Sequence, residues 1–511
     1  MNFSPLLFLV LGLLLSTQAS AAESGRKPNI VYILADDLGW TDLGCQGSKF
    51  YETPNIDRLA AEGVRLTNYH NCQNCQPTRA ALMTGQYAAR TGVYTVGGID
   101  RFDWQTRPLR PVDNKNKLPL DKVTIAQSLK KAGYATALFG KWHLGEDGEH
   151  HPRHRGFDEA IVSMGRHFNF ETQPKEPVRK GEYLADFLTD KAVDFIQRHR
   201  EAPFFLYLPH FGVHSPHQAK ENWVQHFKDK PAAGGHHSTV YAGMIASVDE
   251  SVGRILKTLE RLGLLENTIV IFSSDNGGVG GYSREGGLIQ TGGLASKRAG
   301  GEGHDITDNA PLRSGKGSLY EGGTRVPWIV RWPGVAKPGG QCDVPSIHVD
   351  MFPTLLQMAG AEAPEKVVLD GESLVEVIRN PSALLKREAI YQHFPGYLGA
   401  GKNLWRTTPV GVIQSGDWKL MEYFEDHHLE LYNLKDDPGE TRNLAGSESE
   451  RAKSLKDKME AWRESIHAPM PLPNTLDGQG SLQEKETPKK KGKRSQDRGS
   501  EPARRRSLLD L

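Results

Sequence analysis

The chain has 511 residues, 38% of them hydrophobic and 24% charged, enough for one large domain and a smaller one around a sizeable core. Lysine and arginine number 63 against 62 acidic residues, a formal net charge of +1, so no global field points to nucleic acid or a membrane surface as a partner. A chain this large does not need disulfides to hold a core, and its four cysteines, Cys45, Cys72, Cys75 and Cys342, allow three full pairings among which the sequence does not choose.

The chain opens on an apolar run at residues 6–15, followed by Ala19-Ser20-Ala21. A short apolar stretch ahead of a small-x-small pattern reads as an export signal over residues 1–21, although no Lys or Arg precedes it. The run is short for a bilayer span, and no other long apolar segment follows. The expectation is an exported protein, periplasmic or secreted, with no membrane insertion once the leader is removed.

Asn29-Ile30-Val31-Tyr32-Ile33-Leu34 is continuously apolar, the pattern of a strand buried on both faces. A helix is predicted over 56–62 and stops at Gly63. The stretch from Ala80 to Met83 is helix-prone, with Pro77 in its first turn. A helix over 124–132 stops at Gly133, and a strand follows over 134–139. Then come a helix over 184–198, a strand over 204–208, a long amphipathic helix over 241–262 and a strand over 268–272. This alternation predicts an α/β fold, a large and mostly parallel sheet flanked by helices. Residues 277–305 are Gly-rich with little apolar content, and read either as a surface loop or as a lid beside a site.

The pattern changes near residue 375. Short aromatic segments such as Gly411-Val412-Ile413 and Trp418-Lys419-Leu420-Met421 precede a helix predicted over 451–466. They imply a smaller C-terminal α+β subdomain over 376–470, after a main domain over 24–375. Residues 471–511 carry Lys489-Lys490-Lys491 and Arg504-Arg505-Arg506 among Ser, Gly, Pro and Glu. That composition reads as a solvated, disordered basic tail, the alternative being a clamp for an anionic polymer.

The chemistry gathers where predicted strands end. One runs into Asp36-Asp37, a second into Lys141-Trp142-His143, a third into His210 and His214, a fourth into Asp275-Asn276. In open α/β sheets ligands bind beyond the carboxyl ends of the strands, so the four endings form one candidate site. Asp36, Asp37, Asp275 and Asn276 offer only oxygen, which suits a hard cation such as Ca²⁺ or Mg²⁺; no Cys/His spacing resembles a zinc site. Cys75 precedes Gln76-Pro77-Thr78-Arg79 and falls at a helix N-terminus, where free N–H groups stabilise an anion. Arg79, Lys141, His143, His214 and Lys316 add donors and proton carriers, as the hydrolysis of a sulfate or phosphate ester requires. Cys72 and Cys75 also form Cys-x-x-Cys, a redox pattern, yet the surrounding oxygen and cation set has no redox role.

Cys75-Gln76-Pro77-Thr78-Arg79, continuing to Leu82-Met83-Thr84-Gly85, resembles the Cys-x-Pro-x-Arg signature of the type I sulfatases, members of the alkaline phosphatase superfamily. Gly133-Tyr134-Ala135-Thr136 through Gly140-Lys141-Trp142-His143 resembles their second signature. Further blocks at 29–39, 203–216, 273–277, 311–327 and 429–444 extend the likeness over residues 27–465. The resemblance implies an alkaline phosphatase-like fold and a sulfuric ester hydrolase, an arylsulfatase-like enzyme. It implies that a maturation enzyme converts Cys75 to formylglycine, whose hydrated aldehyde attacks sulfur. Asp36, Asp37, Asp275, Asn276 and the modified Cys75 would bind one Ca²⁺. Arg79 and His143 would steady the formylglycine, Lys141 and Lys316 would hold sulfate oxygens, and His214 would protonate the leaving oxygen. The implied substrates are aryl sulfates or, in nature, sulfated glycans.

Thr78 stands where the family most often has Ser, and Gln86 where Arg is usual. A further polar residue of the site usually follows the Gly156-Phe157-Asp158 turn; Ser163, Arg166 and His167 are candidates. His210 reads as structural, and Glu321-Gly322-Gly323-Thr324-Arg325 as a buried charge pair and turn. Two other functions remain open at this point. A phosphatase or phosphonate hydrolase of the same superfamily would be marked by a Ser or Thr nucleophile and a second metal site. A glycan-binding protein without activity would be marked by a lost Cys, Lys or Asp.

Overall fold

The computed structural model describes residues 26–280, 306–401 and 404–475. The leader, nearly all of the basic tail and most of the Gly-rich stretch expected from the sequence lie outside the described residues.

Eight strands form the large sheet: β1 (Asn29–Ala35), β2 (Val64–Leu66), β3 (Ala135–Gly140), β4 (Glu159–Val162), β5 (Phe204–Pro209), β6 (Thr268–Ser274), β7 (Trp328–Arg331) and β8 (Gly340–Cys342). Their order is β8-β2-β7-β6-β1-β5-β3-β4. All neighbouring pairs are parallel except those made by β7, which runs against both β2 and β6. The sheet is thus mostly parallel, with one reversed strand.

Every residue of β1 is buried, and alternate side chains serve opposite faces. Val31, Ile33 and Ala35 enter one core cluster, which is completed by helices α1 (Pro54–Ala61), α4 (Leu184–Arg198) and α5 (Thr239–Arg261). Ile30, Tyr32 and Leu34 enter the other, closed by α2 (Cys75–Thr84), α3 (Ile125–Lys131) and α6 (Met351–Ala359). Helix α5 shows the cause clearly: Tyr241, Ile245, Val248, Val252, Ile255 and Leu259 recur at three- and four-residue spacing and are all buried. Thr124 and Gln127 close a reciprocal capping box on α3.

The C-terminal part is an antiparallel sheet of β9 (Ile390–Phe394), β10 (Val410–Ser415), β11 (Trp418–Tyr423) and β12 (Leu429–Asn433), in sequence order. Helix α7 (Ser449–Ser465) lays Ala452, Leu455 and Met459 on Ile413, Leu420 and Leu431. The opposite face covers Leu319 and Tyr320 of the main domain. Charge also crosses this junction. Lys419 Nζ lies 2.9 Å from both Glu321 and Glu440, and Glu321 is 3.1 Å from His70. The expected Glu321–Arg325 pair is present at 3.5 Å, but Lys419 and His70 are the nearer partners.

Candidate active site

Strands β6, β1, β5 and β3 are neighbours in that order and parallel, so their four carboxyl ends meet at one edge. Asp36 follows β1 and is stitched to the loop after β5: its N–H donates to the Gly212 carbonyl at 2.9 Å, and the Val213 N–H donates back to Asp36 at 2.7 Å. Asp37 is left-handed, with φ 66°, an uncommon conformation for a residue with a side chain. Gly140 ends β3 with φ 132°, where a Cβ would stand 1.9 Å from the Pro209 carbonyl; only glycine passes there. Lys141 then donates its N–H to the same carbonyl at 2.8 Å.

Cys75 is the first residue of α2 and is 2% exposed. The Thr78 hydroxyl accepts from the Cys72 N–H at 3.0 Å and donates to the Asn74 carbonyl at 3.2 Å, a clamp on the turn that a serine could also make. Gln86 closes the far end of this region by donating to the Val368 carbonyl. All four thiols are unbridged.

Three carboxylates and three cations lie together, all buried except Lys316, which is partly so. Lys141 Nζ donates to Asp36 Oδ2 at 2.6 Å, Lys316 Nζ to Asp37 Oδ2 at 2.7 Å, and Arg79 to Asp275 Oδ2 through Nε and NH2 at 3.0 and 2.7 Å. Asn276 Nδ2 donates to Asp37 Oδ1 at 2.8 Å. Asp36 Oδ1 and Asn276 Oδ1 are buried with no donor, an arrangement that is costly unless a ligand supplies the missing contact. Ligand atoms of Asp36, Cys75 and Asp275 lie within 4.8 Å of one another, as do those of Asp36, Asp37 and His214. An acidic cluster with orphaned oxygens fits a hard cation.

The charges shift one another. Burial raises the Asp37 carboxyl, but Lys316, His214 and Lys141 outweigh it and hold it well below the usual carboxylate range. Asp275 is pushed up to about 6 by burial and by neighbouring Asp36, against the pull of Arg79. Burial lowers Lys141, but Asp36 and Cys75 prevail and raise it. His143 and His214 are both driven down by burial and by the nearby lysines. Burial pushes the Cys75 thiol up, in spite of Lys141 and Lys316.

His214 lies with Nε2 3.7 Å from Asp37 Oδ2 and Nδ1 2.6 Å from the Ser215 carbonyl. A carbonyl only accepts, so Nδ1 carries a proton and Nε2 is the exchangeable position. His143 has φ 60° and a buried Nδ1 without a partner. The ten residues singled out from the sequence therefore lie at one edge, seven of them buried and His143, His214 and Lys316 partly so. Of the three extra candidates, His167 alone bonds to a site residue among the described residues. Its Nε2 is 2.8 Å from the His214 carbonyl, and its ring stacks between Tyr183 and Phe211. Ser163 gives its hydroxyl to the Glu171 carbonyl, and Arg166 is exposed. His210 bonds to Ser251 on α5 at 3.0 Å, fully buried, and is a core residue.

Sequence reasoning missed the layer behind the ligands. Ser274 accepts from the Leu38 N–H, Asn309 bonds Gly278, Gly280 and Ser314, and Asp42 bonds Gly39, Tyr241 and Thr307. The one available signal was Gly39 followed three residues later by Asp42, an arrangement suited to a side-chain-closed turn.

Residues 28–361 match the family model described as sulfatase, and residues 315–465 match that of the N-sulphoglucosamine sulphohydrolase C-terminal region. The chain is 34% identical to a sulfatase of Formosa agariphila over 90% of its own length and 93% of the relative's. It is 30% identical to an N-acetylgalactosamine-6-O-sulfatase of Bacteroides thetaiotaomicron, with 90% and 99% covered. The crystal structure of Ps i-CgsB in complex with k-i-k-neocarrahexaose superimposes with a TM-score of 0.70 at 30% identity, covering 89% of this chain and 96% of that one.

Proposed function

The chain belongs to the sulfatase family and is a sulfuric ester hydrolase, and from that premise we propose that it cleaves carbohydrate sulfate esters at the Cys75 edge, through formylglycine made from Cys75 and one bound Ca²⁺. The observation that supports this best is the grouping of Asp36 and Asp275 with Cys75, and of Asp37 and Asn276 with those carboxylates, with two buried oxygens left without donors. The substrate class rests on relatives named for acetylgalactosamine sulfate and on a neighbour bound to a neocarrahexaose.

A buried thiol whose pKa is pushed up makes little thiolate at neutral pH, so the unmodified cysteine is a poor nucleophile here. Formylglycine would supply a hydrated aldehyde, an oxygen nucleophile for sulfur. Asp36, Asp37, Asp275 and Asn276 would hold the cation, which supplies positive charge beside the sulfate. Arg79, fixed by Asp275 and by the Lys141 carbonyl, keeps the carboxylate set compact. Lys141 and Lys316 stay charged, since the buried carboxylates raise both, and they bind sulfate oxygens. His214 is neutral at rest, with its proton on Nδ1; it would take up a second proton on Nε2 as the anionic substrate binds and pass that proton to the leaving alcohol oxygen. His143 Nδ1, without a protein partner, is free to orient the nucleophile. The apolar leader at residues 1–21 supports export, and no described helix is long and apolar enough to cross a membrane.

The test is the mass of the Cys75 peptide from protein made in its native host, paired with sulfate release from sulfated mono- and oligosaccharides. An aldehyde-reactive peptide and sugar desulfation are expected. An intact thiol in active protein would sink the mechanism, and activity confined to aryl sulfates would sink the substrate class.

A further inference from the structure

The Asp36-Asp37 turn is tied down on three sides by backbone contacts. Asp36 pairs with the loop after β5, Asp37 N–H donates to Asp275 Oδ1 at 3.2 Å, and Leu38 N–H donates to Ser274 Oγ at 3.0 Å. The remaining side is the Asp37 carbonyl, at the left-handed residue itself. There the Tyr241 hydroxyl, from the first turn of α5, lies 3.1 Å from the Asp37 carbonyl and 2.7 Å from Asp42 Oδ2. The same Asp42 oxygen accepts the Gly39 N–H at 2.7 Å, and Asp42 Oδ1 accepts from Thr307 at 2.6 Å. Asp42 and Tyr241 are both 0% exposed.

We propose that the Tyr241–Asp42 pair is a positioning device for the cation site, setting the backbone of Asp37 and through it the carboxylates that receive the ion. This rests on the cation reading above. A left-handed non-glycine residue persists only where its surroundings over-determine it. Asp42 holds the turn from within, three residues beyond Gly39, and Tyr241 anchors it to a 23-residue helix whose residues 241–249 are all buried. A phenol has one proton, shared here between a carbonyl and a carboxylate, so its loss loosens both at once. Gly39 belongs to the same device: a Cβ there would stand 2.9 Å from Asp42 Oδ2 and 2.4 Å from Asn309 Oδ1. Outer-layer partners of metal ligands typically govern affinity by 10–100-fold.

The experiment is calorimetric titration of Ca²⁺ into metal-free full-length protein, for wild type, Tyr241→Phe and Asp42→Asn, beside the melting temperature of each metal-free sample. Tyr241→Phe keeps the ring and removes only the hydroxyl. It should weaken Ca²⁺ binding about 10-fold while melting within about 3 °C of wild type without metal. Asp42→Asn, which keeps one acceptor oxygen, should weaken binding in the same direction. Unchanged Ca²⁺ affinity in a folded Tyr241→Phe protein overturns the positioning role alone. A wild type that takes up no Ca²⁺ overturns both this role and the cation reading. A purely structural role would lower the metal-free melting temperature and leave the affinity where it was.

Discussion

Two buried ionic clusters sit within this molecule, and they are finished differently. At the domain junction Lys419 lies between Glu321 and Glu440, and each of the four carboxylate oxygens has a cation or an N–H close by. Lys419 is 2.9 Å from one oxygen of each, His70 is 3.1 Å from the other oxygen of Glu321, and the Glu321 N–H is 2.7 Å from the other oxygen of Glu440. At the sheet edge, Asp36 Oδ1 and Asn276 Oδ1 have no hydrogen-bond partner; at the junction Glu440 Oε1 also lacks a hydrogen bond but has Lys419 Nζ at 2.9 Å. Both clusters carry the cost of desolvating charge. The closed one sets each carboxylate oxygen against a cation or an N–H of the chain itself. On the proposed reading the open one is completed by a bound cation.

The comparison predicts that function and stability separate between the clusters. Cys75→Ala should lower turnover of a sulfate ester by about 10⁴-fold or more with an unchanged circular dichroism spectrum and melting curve; residual activity near wild type would break the assignment of the open cluster. Lys419→Met does the converse. It leaves two buried carboxylates facing each other and should destabilise the fold by about 3–5 kcal/mol, read by urea unfolding; a small loss would mean that the junction is not closed by charge. Adding Ca²⁺ to chelated protein at about 100 times its Kd should stabilise by about 2.7 kcal/mol, with no such gain in Asp36→Ala.

The smallest effect concerns pH. Burial pushes Glu440 up to about 7, Lys419 opposing and Glu321 reinforcing. A folded pKa above the unfolded one means that the native state binds the extra proton. Its contribution is full below about 4.5 and is lost as pH rises through about 7. Glu440→Gln should therefore lose less stability than wild type between pH 5 and about 7.5, by roughly 1–3 kcal/mol. Parallel curves for the two proteins would show that Lys419 keeps Glu440 ionised throughout.

Most of the open cluster was legible in the sequence because Asp36, Lys141, His214 and Asp275 follow the ends of strands. The apolar runs at 29–34, 204–208 and 268–272 place Asp36, His214 and Asp275 at one edge as soon as the sheet is taken as parallel, and spacing after Cys75 places Arg79 on the same helix. The reversed strand β7 was not legible. Trp328-Ile329-Val330-Arg331 is short, with three apolar residues and an arginine, and nothing local gives its direction. The closed cluster was hidden for another reason. Lys419 alternates with apolar neighbours as a solvent-facing strand residue does, and its partner Glu321 is 98 positions away. Tyr241 and Asp42 are separated by 199. Pairings of that range are created by the fold and leave no periodic trace.

One consequence of the domain junction concerns time. The Lys316 loop is held by the last third of the chain: Arg406 donates to the Lys316 carbonyl, and Arg313 to Tyr432 and to the Glu440 carbonyl. In the finished protein Cys75 is 2% exposed. At a synthesis rate of about 5–20 residues per second, Glu440 follows Cys75 by roughly 20–70 s. On the proposed reading, an enzyme that converts Cys75 has to meet it before folding buries it, within that interval or during passage across a membrane.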